Sequence, residues 1–519
     1  MVNGQDLAKF WAVYQLHDRP HIRALLEEYR IGNLSSCDYL RVKHETNFES
    51  YYVNEPHRPQ AKMGQLRSPS THPWNSEPKI LARLTDSFFT PNDLFFVRNH
   101  NHVPSVDAED YVLEIEANEN AGIQATTFTL EDIMTKFDKH EVISALQCAG
   151  NRQEDYVTEH RPLYVAPHWR EGAIGNAKWA GVKVRDVLAA AGMPVDDIAL
   201  GKRRPGGKIV NFIGMDVDET GVPYGGVIPV EKALDPFGDA ILAYEMNGET
   251  LPRDHGYPLR LLAPGHAGCR NVKWVGSISV TENPSELDSG SRLDRHFAPD
   301  INWQSHKDHV SKERCPTTII PLSEHYKADA GNNCAPVRVD QGPVIQTLPV
   351  QSIICTPANR ITMSGETETI PVSGVAWSGA GRGICRVEVS LDGGKTFSAC
   401  ELIKDENRKE APNPEQGMGR NWAWTQFYLD APIPPAIKEK LKKGEKVEMS
   451  VYSKAIDGDF NAQPQEMSHG WNVLGICVNH WSKVLIKLDP KLKKGETIAP
   501  PATPMPGSPW WGDGTPNKP

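Results

Sequence analysis

The hydrophobic period changes along this chain, and that change constrains the fold more than any other feature. From about 84 to 303 the apolar residues come in short clusters with no regular strand–helix alternation. From about 346 to 488 they recur at every second position. Arg386-Val387-Glu388-Val389-Ser390-Leu391 alternates, Asp392-Gly393-Gly394 turns the chain, and Val447, Met449 and Val451 alternate again. Period two marks strands with one buried face, and short strands separated by turns predict an antiparallel sandwich. The irregular mixture upstream predicts an α+β domain. Within it Thr129-Leu130-Glu131-Asp132 can cap a helix through Ile133, Met134 and Phe137. A second helix is expected over Val182 to Ala191, stopped by Gly192.

At the N-terminus Leu7, Phe10, Trp11 and Tyr14 cluster at helical spacing, and Ile22, Leu25, Leu26 and Tyr29 resume the pattern after Pro20. No basic region followed by an apolar core precedes them, so no secretory signal is expected. Residues 35–80 lack a sustained period and read as a linker. Residues 304–342 read as a long polar surface excursion. The Pro- and Gly-rich end, 499–519, reads as a tail. Lys plus Arg is 56 against 66 Asp plus Glu, a net charge of −10, which argues against a general nucleic-acid binder. No apolar run is long enough to span a membrane. Nine scattered cysteines include no CxxC pair, which argues against zinc and thioredoxin signatures and against a disulfide scaffold.

The densest unusual segment is SALQCAGNRQ, 144–153. Cys148 follows an apolar run and precedes Ala-Gly-Asn-Arg, a strand end leading into a tight turn with the thiol at its tip. Two readings are open on these residues alone: a small buried hydrophobe, or a thiolate ligand for a soft transition metal.

SALQCAGNR resembles the metal-ligand motif of the sulfite oxidase family of molybdenum enzymes, which includes eukaryotic assimilatory nitrate reductases. NDLFFVRNH (92–100), GAIGNAKWAGVKVRDVL (172–188), AYEMNGETLPRDHGYPLRLLAPG (243–265) and RNVKW (270–274) follow in family order. AWSGAGRGICRVEVSLDGGKTF (376–397) and WNVLG (471–475) resemble the family's C-terminal dimerisation domain. The resemblance implies an α+β molybdopterin-binding domain over 81–343 and an immunoglobulin-like β-sandwich over 344–490, followed by a disordered tail, 491–519. It implies a molybdenum–molybdopterin cofactor with Cys148 as the metal's protein ligand. Phe96, Val97, Arg98, Asn99, His100, Asp216, His255, Arg260, Asn271, Val272 and Lys273 are the implied cofactor contacts. Arg98, Cys148 and Trp169 are the implied catalytic set. These types make physical sense: a thiolate suits a redox-active soft metal, and Arg, Lys and His offer directional donors to a buried phosphate.

Residues 7–34 resemble the last part of the b-type haem domain that precedes the molybdenum domain in animal sulfite oxidases, so 1–34 reads as its remnant. His17 falls on that domain's second haem ligand. The HPGG motif carrying the first is not in this sequence, so haem is not expected in this chain. Three positions depart from the family's sulfite pocket. Gln153 stands where a second arginine is usual, Asp294 where a tyrosine is, and Leu474 where an arginine is; nitrate reductases also carry an apolar residue at the last. A hydrogen bond from a charged donor contributes roughly 1.5–3 kcal/mol, so two lost arginines weaken binding of a dianion by ~3–6 kcal/mol. Arg152, Arg161 and Arg170 are candidates to compensate.

The resemblance thus implies sulfite oxidation with electrons passed to an external acceptor such as cytochrome c. The alternatives are nitrate reductase-like reduction of an oxyanion and a catalytically silent relative. It further implies a homodimer and, from the animal relatives, the mitochondrial intermembrane space, with the cytoplasm as the alternative.

Overall fold

The computed structural model describes residues 52, 54–155, 169–199, 201–202, 205–218, 221–283, 344–403, 420–470 and 475–499. The expected N-terminal helix with His17, the excursion over 304–342, and Arg161, Asp294 and Leu474 lie outside the described residues. The first described elements fall inside the expected linker. Helix α1 (Gln60–Gln65) leads into a hairpin of β1 (Leu66–Thr71) and β2 (Trp74–Pro78). Every residue of β2 is buried although three of the five are polar. That is why no hydrophobic period betrays the hairpin.

Two five-stranded sheets then build the α+β region. Along the chain come β3 (Val112–Ile115), β4 (Thr126–Thr129), β5 (His140–Gln147), β6 (Ile174–Lys183), β7 (Ile209–Val217) and β8 (Pro223–Pro229). They continue with β9 (Ile241–Met246), β10 (Glu249–Thr250), β11 (Arg260–Leu262) and β12 (Val275–Thr281). One sheet has the order β10-β9-β6-β5 with β11 also on β9; the other runs β4-β3-β12-β7-β8. Only β12 and β3 pair in parallel there. Helix α2 (Leu130–Lys136) starts at Thr129 with both bonds of a capping box, Asp132 N–H to Thr129 Oγ1 at 3.1 Å and Thr129 N–H to Asp132 Oδ2 at 3.2 Å. The second expected helix is shorter than its pattern. Helix α3 spans Val184–Ala190, because Val182 and Lys183 pair with β9 as the end of β6.

The alternating C-terminal region forms two facing sheets of four and six strands. Val387, Val389, Val451 and Ile486 on one meet Ile354, Val372 and Phe427 on the other in a shared core, as the period-two pattern requires. Gly393 and Gly394 make the expected turn at φ 80° and 83°, where a side chain would be strained. The range expected as tail begins on the sandwich: Thr497 and Ile498 pair with Met363 and Thr362 at a sheet edge. Backbone hydrogen bonds hold this short stretch where hydrophobicity does not.

A third core joins the two regions. Ala145 and Ile174 pack with Trp377, Trp424 and Ile476. The Trp377 indole donates to Gln147 Oε1 at 2.8 Å, pinning the end of β5. Strand β6 itself depends on a glycine. At a bulge opposite β9, a Cβ on Gly181 would sit 2.0 Å from the Leu242 carbonyl oxygen. Backbone cannot yield as a side chain does, so Gly181→Ala should cost about 3 kcal/mol and lower the thermal midpoint by roughly 5–10 °C. Gly64→Ala in α1, where a Cβ meets nothing within 4 Å, should leave the midpoint unchanged or raise it slightly. Calorimetry on the two variants checks both.

Candidate functional site

Strand β5 ends at Gln147 and the next residue is Cys148. Its N–H donates to Ala173 O at 3.0 Å, and Asn151 N–H returns to Cys148 O at 3.0 Å, closing a tight turn. Arg152 sits in the left-handed region at φ 66°. The Gly150 N–H donates to Cys148 Sγ at 3.4 Å, a contact that favours a thiolate. Gly150 must be glycine here, since a Cβ would lie 2.9 Å from the Trp169 ring. The thiol opens into a concave cleft, the kind of site that encloses a small molecule.

The cleft has two ends of different character. Around the thiol the wall is Phe96, Leu146, Gly150, Trp169 and Ile476, with Gln153 as a polar group; Arg98 also lines the cleft, near enough to His100 and Lys273 for its charge to oppose theirs. The other end presents His100, His255, Arg260 and Lys273, with Asp216. Arg260 is 3% exposed. Its guanidinium donates to the carbonyls of Leu261, His255 and Asn271 and lies 5.0 Å from the Trp179 ring centroid. Lys273 Nζ donates to Asn99 Oδ1 and, at 3.0 Å, to Asp254 O. His255 Nε2 lies 3.3 Å from Asn92 O.

Among the described residues, none of Arg98, Arg260 and Lys273 forms an ion pair. Asp254 is already neutralised by Arg58, which meets both its oxygens at 2.7 and 3.1 Å. Burial pushes Lys273 down to about 7, Arg260 to about 9 and His255 to about 3, outweighing the pull of Asp254 on the first and last and of Asp216 on Lys273, and holds His100 well below the usual imidazole range. Burial likewise pushes the Asp216 carboxyl up to about 7, and its Oδ1 has no hydrogen-bond partner among the described residues. Buried cations without partners are costly, so this end is built for an anion with several oxygens, and phosphate is the natural class. Asp216 offers an acceptor to a ring N–H. The opposite end offers the Cys148 thiol. No group of three or more His, Cys, Asp or Glu that could hold a metal exists among the described residues. A phosphate-bearing dithiolene with one soft metal meets each of these requirements.

The expected residues therefore converge with two exceptions. Asn99 lies behind the wall, accepting from Lys273 and donating to Trp74 O at 3.0 Å, and Val272 is buried in the core. Asn271 reaches the wall, but its amide is spent on the loop. Its Oδ1 accepts from Ala263 N–H at 2.7 Å and its Nδ2 donates to His266 O and Ala267 O. Gln153, 4% exposed, does stand on the wall beside the thiol. Neither described arginine offered as compensation does. Arg152 is bound to Asp155 and to the carbonyls of His480 and Trp481, and Arg170 pairs with Glu154 at 2.8 Å. Sequence reasoning missed Tyr224, which stacks on His100 with centroids 4.5 Å apart, and Cys269, a second thiol-bearing residue on the wall. It missed Ile476 as well, which only the packing of the sandwich brings here. Adjacency of Cys269 to RNVKW was the one available signal.

Residues 100–288 match the oxidoreductase molybdopterin binding domain, and residues 342–489 match the Mo-co oxidoreductase dimerisation domain. The mitochondrial sulfite oxidase of Rattus norvegicus is 37% identical over 489 residues, covering 94% of this chain and 76% of that protein. An NADH nitrate reductase of Brassica napus is 30% identical over 427 residues, covering 81% of this chain but 40% of that protein. The sulfane dehydrogenase SoxCD from Paracoccus pantotrophus shares the fold at a TM-score of 0.58, with 22% identity over 83% of this chain and 90% of that one.

The charge pattern of the cationic end makes anion binding pH-dependent. Lys273 is half neutral near pH 7 in the cofactor-free protein, and a bound anion raises its pKa, so binding above pH 7 takes up a proton. Asp216 ionises over the same range and adds repulsion. Sulfate keeps its charge throughout, so its affinity should fall ~10-fold or more between pH 7 and 9. Calorimetry in two buffers of different ionisation enthalpy measures both the fall and the proton uptake. Lys273→Met should flatten the profile.

Proposed function

The chain belongs to the sulfite oxidase family of molybdenum-cofactor oxidoreductases, and from that premise we propose that it oxidises a small sulfur oxyanion of the sulfite type. The observation that carries the reading is that one cleft is lined by the Cys148 thiol, Arg98 and Trp169 and also by Arg260 and Lys273, cations without an ion pair among the described residues. Cys148 Sγ holds the metal, with the Gly150 N–H stabilising its negative charge. Arg260, Lys273 and His255 hold the cofactor's phosphate, and Asp216 accepts from the pterin. When bound there, the group supplies oxygen-atom transfer coupled to a two-electron change at the metal.

The chain's own side chains position the reactants. The half-buried guanidinium of Arg98, steadied by Asn75 Oδ1 at 3.3 Å, orients the anion and lends the pocket positive charge. Phe96, Trp169 and Ile476 wall that end and keep water away from it, which strengthens every charge interaction inside. Electrons leave singly to an external acceptor such as cytochrome c. A homodimer assembles through the sandwich; the match to a dimerisation domain supports this. Mitochondrial residence, in the intermembrane space, is supported by the name of the rat relative. No described helix is long and apolar enough to cross a membrane.

Gln153 on the wall favours weaker sulfite binding than an arginine there would give, and the nitrate reductase match supports reduction of an oxyanion as the second reading. Parallel turnover with sulfite plus cytochrome c, and with nitrate plus a reduced dye, separates the two. Activity on neither, from metal-loaded protein, identifies a silent relative. In the proposed reaction Cys148→Ser abolishes oxygen transfer. Arg98→Gln removes one charged hydrogen bond, worth roughly 1.5–3 kcal/mol, and lowers kcat/KM for sulfite about 10- to 100-fold, mainly through KM. Full turnover in a metal-replete Cys148→Ser protein would refute the ligand assignment.

A further inference from the structure

The hairpin that stands where a linker was expected carries a buried carboxylate directly behind the thiol end of the cleft. Glu77 is 1% exposed. Its Oε1 accepts from the Arg170 N–H at 3.0 Å and from the Arg67 guanidinium, and its Oε2 accepts from the Gly172 N–H at 3.1 Å. The two oxygens therefore hold two backbone amides of the segment 169–173. The joint is tight: a Cβ on Gly172 would lie 3.2 Å from Glu77 Oε2 and 3.1 Å from Pro78 Cδ, so the carboxylate or the proline would have to give by a few tenths of an ångström.

The clamped segment faces the cleft on its other side. Trp169 O accepts from Glu154 N–H at 2.9 Å, and Arg170 O from Arg152 N–H at 2.7 Å. Ala173 donates to Asn151 Oδ1 at 2.9 Å and accepts from Cys148 N–H at 3.0 Å. The segment is thus zipped along the turn that presents Cys148, and it sets the Trp169 ring against Gly150. Arg170 pairs in turn with Glu154, which lies 3.9 Å from Arg67. A carboxylate that accepts from two backbone amides of one loop fixes that loop's position more stringently than side-chain packing alone.

We propose that Glu77 is a positioning residue for the reaction: through the amides of Arg170 and Gly172 it sets Trp169 and the Cys148 turn at the distance that productive substrate binding requires. The hairpin is then part of the active site. The inference rests on the oxygen-transfer reading above. The glutamate touches neither cofactor nor substrate and acts only through the loop it holds. Misplacement of reacting groups by a fraction of an ångström to an ångström costs up to ~10²-fold in rate.

The test uses the metal-loaded enzyme and the near-isosteric Glu77→Gln, which keeps the volume but opposes an NH2 to one of the two backbone donors. Molybdenum and pterin content should stay near wild type. The kcat/KM per molybdenum should fall ~10- to 100-fold, and the Mo(V) electron paramagnetic resonance line shape after chemical reduction should change. Gly172→Ala disturbs the same joint without touching the charge and should reproduce both effects. A lowered melting temperature with unchanged kcat/KM and line shape would overturn the proposal, since a merely structural role moves only the first. If neither variant accumulates, hydrogen exchange in the wild type decides. Amides of 169–173 should be protected like those of β5, and loop-like exchange would overturn the proposal. Wild-type protein lacking molybdenum or sulfite turnover would instead count against the oxygen-transfer reading.

Discussion

Positive charge sunk into a cleft without an ion-pair partner is the constraint on which the rest of this structure turns. Arg260 is buried and Lys273 half-buried, their hydrogen bonds go to neutral acceptors, and of the carboxylates near Lys273, Asp254 is claimed by Arg58 while burial raises the pKa of Asp216. Taking a charge out of water costs several kcal/mol unless it is paired. The depressed pKa values of Lys273 and His255 are the direct expression of that cost. In the proposed reading a phosphate completes the site, and the cofactor then contributes to stability by the same interactions that hold it for catalysis.

The two ends of the cleft are held by different parts of the molecule. The cationic end depends on local turns, above all the loop from Ala263 to Asn271 that the Asn271 amide closes on itself. The thiol end depends on contacts remote in sequence. Trp377 pins the end of β5, the Trp422 carbonyl accepts from Ala145 N–H at 2.9 Å, and Cys477 N–H reaches Ala149 O at 2.7 Å. The sandwich is therefore more than an assembly surface. It supplies Ile476 to the wall and fixes the strand that leads into Cys148. A change in how the sandwich packs would be felt at Cys148 before it was felt at the cationic end.

What the amino-acid sequence revealed follows from where the physics is local. The sandwich was legible because Val387, Val389, Val447, Met449 and Val451 bury one face each at period two. The capping box at Thr129 was legible because both its partners lie within four residues. Cys148, Arg98, Trp169 and the cationic residues were found through long collinear motifs, and the cleft gathers them. The hairpin at 66–78 was illegible because Asn75, Ser76 and Glu77 are buried by hydrogen bonding, and hydropathy reads buried polar residues as surface. Ile476 was illegible for another reason: only tertiary contact between two regions more than three hundred residues apart brings it beside the thiol. Asn99 sits in a motif whose neighbours line the cleft, yet its side chain faces Lys273, a direction that spacing does not specify.

The central claim is that the sulfur of residue 148 is bonded to molybdenum. X-ray absorption at the molybdenum edge addresses it directly, independently of any substrate. On metal-loaded protein the account predicts that Cys148→Ser loses one sulfur from the metal's coordination shell while the cofactor's own sulfur ligands remain. An unchanged sulfur shell in that variant would contradict it.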